Sequence, residues 1–190
     1  MDAWAPRGLL LLVALACAAC ATTGRSIRVR ESTEAEARIL SAALSPLLAE
    51  LHDSTLHREG CKIALGIIPS PRINASAGPG STTPCTTFTL LVTEGALARL
   101  PVGMLRAVLA HELGHVALRH TGRNTRAYEA AADAYAVKLL KRLEPRLPEA
   151  CIQLVYVFAV LAEQSAAAAW ISAHPSPARR ADVALEGCNR

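Results

Sequence analysis

His111, Glu112 and His115 have the types and spacing to do chemistry on a metal ion. On a helix, residues four apart lie one above the other on a single face, so the two imidazoles can reach one cation. Glu112, one step round from His111, can reach a water on that cation without being a ligand. Two nitrogens fixed by helix geometry, with a carboxylate base beside them, make half of a catalytic zinc site. Such a site takes a third protein ligand and leaves one position open. Downstream, Glu129 and Asp133 are also four apart, in a run of mostly alanine where a solvated helix would carry more charge. Glu129 is the expected third ligand. Asp133 is the expected acceptor that fixes a ligand histidine's tautomer and orientation, with His111 its partner. The metzincin alternative needs glycine and histidine where this chain has Leu118 and Thr121, which excludes it. His120 falls about 140° round from the ligand face of a continuing helix. It reads as a helix-end histidine near the carbonyl dipoles.

The elements that must position these groups show as periodicities. Val102, Leu105, Val108, Leu109, Leu113 and Val116 recur at helical spacing, predicting a buried amphipathic helix from Pro101 to a stop near Gly122. Gly114 lowers helix propensity by about 1 kcal/mol relative to alanine, and its missing side chain would let another element approach the metal. Further helices are expected over residues 126–143 and 149–169, and a last one opens at Ser176 and Pro177 and closes at Gly187. The apolar run from Cys151 to Ala162 is short for a membrane span and reads as a core helix. Upstream, residues 34–57 are helical in pattern, with Ser45 and Pro46 as an interruption. Residues 61–68 and 86–93 read as strands, and residues 69–84, rich in Pro, Gly, Ser and Thr, as mostly loop.

At 190 residues the chain suffices for one domain with a sizeable core. Aromatics are only 4%, so that core must be Ala, Leu, Val and Ile. The net charge of +4 is scattered, and no nucleic-acid partner is expected. Arg7 precedes an apolar run over residues 8–16 that is too short to cross a bilayer, then small residues and cysteine. This predicts a lipoprotein-type signal peptide over residues 1–19, a tether over 20–32 and a domain over 33–190. Lipidation is expected at Cys20, with Cys17 the alternative. Acyl chains there would anchor the domain stably in a membrane. The absence of aspartate after Cys20 points to the outer membrane, facing the periplasm, in a Gram-negative host. Cys61, Cys85, Cys151 and Cys188 remain, and an exported chain pairs an even number. Cys61–Cys85 and Cys151–Cys188 are the expected disulfides, because each joins neighbouring segments; other pairings and free buried thiols stay open.

The run from Val108 to Val116, Glu129 with Asp133, Ile73 to Ala75, and Ser172 to Arg179 with its His174 and Pro175 carry a resemblance. Together they resemble the HtpX, BepA and CAAX-prenyl-endopeptidase-like family of gluzincin zinc metallopeptidases, over about residues 61–185. The resemblance implies an α+β fold, a mainly helical minimal zincin domain with a small β-sheet. It implies one Zn2+ per chain and hydrolysis of peptide bonds in misfolded or misassembled envelope proteins. The partners would be a polypeptide substrate and an envelope protein complex. It also implies that a second electrophile beside the metal comes from the 174–179 element, with Arg179 the first choice and His174 the second. Substrate would lie extended along the edge of the 86–93 strand. The rival reading is a zinc-stabilised, proteolytically quiet chaperone-like or scaffolding lipoprotein. Glu112 argues against that rival, because a structural site needs no base.

Overall fold

The computed structural model of the chain describes residues 28–51, 62–78, 87–120, 125–164 and 176–190. The expected signal peptide, Cys17, Cys20, the Cys61–Cys85 pair and His174 lie outside the described residues.

Thr33 and Glu36 open helix α1 (Glu34–Glu50) with a capping box: the Thr33 hydroxyl accepts the Glu36 N–H, and the Glu36 carboxylate accepts the Thr33 N–H. The helix runs unbroken through Pro46, which corrects the expected interruption. Proline leaves the carbonyl four residues back without its helical donor. That carbonyl, on Ala42, accepts instead from the Arg106 guanidinium at 3.0 Å. Just before α1, Arg30 forms a β-bridge with Ile67 and pairs with both Glu36 and Glu94. Residues assigned to the tether thus reach the folded body.

Three strands follow: β1 (Lys62–Ile68), β2 (Ala75–Gly78) and β3 (Thr87–Thr93), in the order β1-β3-β2. β1 runs parallel to β3 and β2 antiparallel to it. β1 and β3 lie where alternation placed them, but β2 falls inside the segment read as loop. Its four residues have no apolar alternation, and the backbone around them is held by Thr93. The Thr93 N–H donates to the Asn74 carbonyl at 3.1 Å, and the Thr93 hydroxyl donates to the Arg72 carbonyl at 2.6 Å. Because β3 has a neighbour on each side, it offers no free edge for substrate; the outer edge near the metal helix belongs to β2.

The Thr93 side chain also caps a short helix that the sequence did not announce, α2 (Glu94–Arg99). Next come α3 (Val102–Ala117), α4 (Arg126–Leu143), α5 (Ile152–Gln164) and α6 (Pro177–Asn189). α3 is the core helix, with Leu105, Ala107, Leu109, Ala110 and Leu113 fully buried and α1, α4, α5 and β2 packed around it. Each fully buried leucine contributes about 1.5–3 kcal/mol from apolar surface removed from water. The turn residue just before α5 is tied to α6 by the expected Cys151–Cys188 disulfide, with Cα atoms 5.8 Å apart. Gly187 sits inside α6 rather than at its stop. Among the described residues no helix is long and apolar enough to cross a membrane. The architecture is α+β, a helical body with one small sheet.

Candidate metal centre

α3 presents His111 and His115 one turn apart, and α4 lays Glu129 across them. His111 Nε2 and His115 Nε2 are 3.1 Å apart; Glu129 Oε2 is 3.3 Å from the first and Glu129 Oε1 3.5 Å from the second. The two histidines are 8% exposed and Glu129 is not exposed at all. A tetrahedral zinc with bonds of about 2.0–2.1 Å separates its ligand atoms by roughly 3.3 Å, so this donor set has the right types at the right spacing. The three residues form a group that could hold one metal ion. Charge points the same way. Three buried carboxylates, on Glu112, Glu129 and Asp133, face one buried guanidinium, on Arg180, and the two negative charges left over suit a divalent cation.

The close approach of the two helices rests on Gly114. A Cβ at that position would meet the Ala132 carbonyl oxygen at 2.9 Å and Ala132 Cα at 3.1 Å. Its bare backbone lets α4 come near enough for Glu129 to reach the histidines. Thr125 fixes the start of α4 by accepting the Tyr128 N–H, which sets the phase that turns Glu129 and Asp133 inward.

A buried chain of polar groups orients the candidate ligands. His111 Nδ1 lies 2.8 Å from Asp133 Oδ1, so Asp133 serves His111. Arg180 in turn grips Asp133 with two hydrogen bonds, Nε to Oδ2 at 2.8 Å and Nη2 to Oδ1 at 2.7 Å. Its guanidinium carbon stands 4.3 Å from the centre of the Phe158 ring. The arginine of the α6 element that enters the site is therefore Arg180, not Arg179. Arg179 is exposed, and its backbone N–H donates to the Ser176 hydroxyl. Helix phase accounts for the correction: Pro177, Arg180 and Ala184 share the buried face of α6, and Arg179 is off it. Arg180 also differs from the expected second electrophile in what it does, because it binds the Asp133 carboxylate.

His120 stands at the helix end and outside the ligand set, as expected, but nearer the centre than its spacing implied. α3 stops at Ala117, well before Gly122, in a turn where Arg119 takes a left-handed conformation at φ 54°. The His120 N–H returns to the His115 carbonyl at 3.0 Å and the Arg119 N–H to that of Val116 at 3.0 Å, a Schellman closure. The reversal brings His120 Nδ1 within 3.0 Å of His115 Nδ1.

Burial and partners set the ionisation in the absence of an ion. Burial opposes charge on His111, but the hydrogen bonds to Asp133 and Glu129 outweigh it and lift its pKa to about 9. Burial, reinforced by His111, pulls His115 down to about 4. Burial pushes the Glu112 carboxyl above the usual range against the pull of His111 and of the Ala77 N–H. At Asp133 the cost of burial is overcome by Arg180 and His111, and the carboxyl stays below its ordinary range.

The centre lies in a cleft of about 330 Å³. Ala75, Ser76 and Ala77 of β2 form one wall; Leu154, Val157, Phe158 and Leu161 of α5 form an apolar one. The Ala77 N–H donates to Glu112 Oε2 at 2.8 Å, so the edge strand and the base meet directly.

The family model described as peptidase family M48 matches residues 34–126, which takes in α1, the sheet, both histidines and Glu112 and ends short of Glu129. No curated protein and no solved structure matches the chain significantly. The motif helix, the small sheet beside it and the histidine–histidine–glutamate cluster agree with that match: over residues 34–126 the chain is similar to peptidase family M48, a metallopeptidase family.

Proposed function

We propose that the chain is a zinc-dependent endopeptidase of the bacterial cell envelope, acting on misfolded or misassembled envelope proteins. The observation that carries the reading is the buried cluster of His111, His115 and Glu129 with Glu112 beside it, opening on a cleft walled by a strand edge. His111 Nε2, His115 Nε2 and a Glu129 carboxylate oxygen would hold one zinc ion. When bound, the ion supplies Lewis acidity to a water and to the scissile carbonyl.

Glu112 does the proton work. Its Oε2 accepts from Ala77, which steadies the carboxylate. The group takes a proton from the attacking water and hands it to the amine as the C–N bond breaks. A carboxyl raised by burial is better matched to that double duty than an ordinary one. Asp133 holds His111 in the tautomer whose Nε2 is free to ligate, and Arg180 holds Asp133. Substrate binds extended along the outer edge of β2. Asn74 bonds to β3, so in an antiparallel ladder Ala75 and Ala77 turn outward to the cleft, where the Ala77 N–H is held by Glu112 and the remaining backbone groups face substrate.

The envelope assignment rests on the signal-like leader with its lipidation cysteine, Cys20 or Cys17, and fits the Cys151–Cys188 disulfide, which needs an oxidising compartment. The outer membrane is the proposed anchor. Glu112→Gln keeps the shape of the carboxyl and removes its basicity. It should lower cleavage of an unfolded protein substrate by at least about 100-fold with zinc content unchanged. Undiminished cleavage by purified Glu112→Gln protein would overturn the mechanism.

A further inference from the structure

Among the described residues no carboxylate stands behind His115. Its Nε2 faces Glu129, and its Nδ1 faces the ring nitrogen of His120, at 3.0 Å. The two histidines of the centre are therefore supported differently: His111 by the charged Asp133, His115 by a neutral imidazole. We propose that His120 is a positioning residue for the metal centre, accepting the His115 Nδ1 proton and so fixing the tautomer that leaves His115 Nε2 free to ligate.

Three features build this arrangement. A nitrogen that binds a metal carries no proton, so a His115 that ligates through Nε2 is protonated at Nδ1. A hydrogen bond between two Nδ1 atoms needs one donor and one acceptor, so His120 Nδ1 must be bare and its own proton must sit on Nε2. The backbone then delivers the ring: Arg119 in the left-handed conformation turns the chain so that residue 120 comes back over the last turn of α3. A side-chain platform sets its plane. The His120 ring stacks on Tyr128 with centroids 4.2 Å apart and planes 9° from parallel. Tyr128 stands one residue before Glu129, in the first turn of α4. The helix that brings the third ligand thus also brings the surface that aims His120, and the two ends of the centre are coupled through α4.

The inference rests on the zinc reading of the cluster, and its test keeps the two apart. Zinc affinity is measured by competition with a chromophoric chelator for the parent chain, His120→Phe and His120→Asn. Phenylalanine preserves stacking on Tyr128 but cannot accept a proton; asparagine gives up the stack but can place its carbonyl oxygen near the Nδ1 position. We expect His120→Phe to bind zinc about 10–100-fold more weakly than the parent, and His120→Asn to recover most of that loss. Parent-like affinity in His120→Phe, or asparagine as weak as phenylalanine, would overturn the assignment. A parent chain that binds no zinc would instead overturn the reading beneath it. Nitrogen-15 spectra of the zinc-loaded parent read the same point with no substitution. His115 should be protonated at Nδ1 and His120 at Nε2, and a proton on His120 Nδ1 would contradict the proposal.

Discussion

Arg180 and Arg179 differ by one position and by nearly everything in their surroundings. Arg180 is 5% exposed and bound twice to a buried carboxylate; Arg179 is in solvent. Removing one partner of a buried ion pair leaves the other charge uncompensated, at a cost of about 3–5 kcal/mol. Arg180→Ala should therefore lower the unfolding free energy of the metal-free protein by that order and weaken zinc binding through Asp133 and His111. Arg179→Ala should stay within about 0.5 kcal/mol. Denaturant unfolding of both variants checks the ordering, and equal effects would contradict the assignment. The residue types of the site were open to sequence reading because helix geometry makes a spacing of four diagnostic: His111 with His115 and Glu129 with Asp133 are two such pairs. Choosing between two adjacent arginines was different, since composition cannot separate them. The phase of α6, set by the Ser176 cap and Pro177, does so.

The elements divide by what holds them. α4 follows its periodicity, and residues 126–143 are helical as expected. β1 and β3 are likewise written in their β-branched and apolar runs. β2 is not, because four residues of alanine, serine and glycine form a strand only when Thr93, the β3 ladder and Glu112 bind their backbone. The end of α3 was obscured because Arg119 rather than glycine takes the left-handed turn, and the run of α1 through Pro46 depends on a guanidinium sixty positions away in α3. The contact between α3 and α4 gives the sharpest prediction at this scale. Gly114→Ala raises helix propensity by about 1 kcal/mol, yet its methyl would press on the Ala132 backbone, where overpacking costs about 1–3 kcal/mol. The variant should be less stable than the parent and bind zinc more weakly, since α4 carries Glu129. A Gly114→Ala protein as stable as the parent would contradict backbone-to-backbone packing here.

At the scale of the whole molecule, the segment before α1 is fastened by Arg30, which joins Glu36 at the start of α1 to Glu94 at the start of α2 while its backbone pairs with β1. The hydrogen bond from Arg30, helped by those from Thr33, holds the Glu36 carboxyl at about 2 against an ordinary 4.5. A carboxyl depressed in the folded state stabilises fully above its unfolded value and loses that contribution as pH falls through the folded one. The stability difference between the parent and Glu36→Gln should therefore shrink as pH is lowered from about 5 to about 2. Chemical denaturation across that range measures it, and a constant difference would rule out the linkage.

The molecule brings three candidate metal ligands and the proposed base into a single cleft from helices α3 and α4, and metal stoichiometry tests that division most directly. Zinc is counted per chain after dialysis for the parent, Glu129→Ala and Glu112→Gln proteins. One zinc in the parent, one in Glu112→Gln and a marked loss in Glu129→Ala are the predicted results. Full zinc in Glu129→Ala, or its loss in Glu112→Gln, would contradict the account.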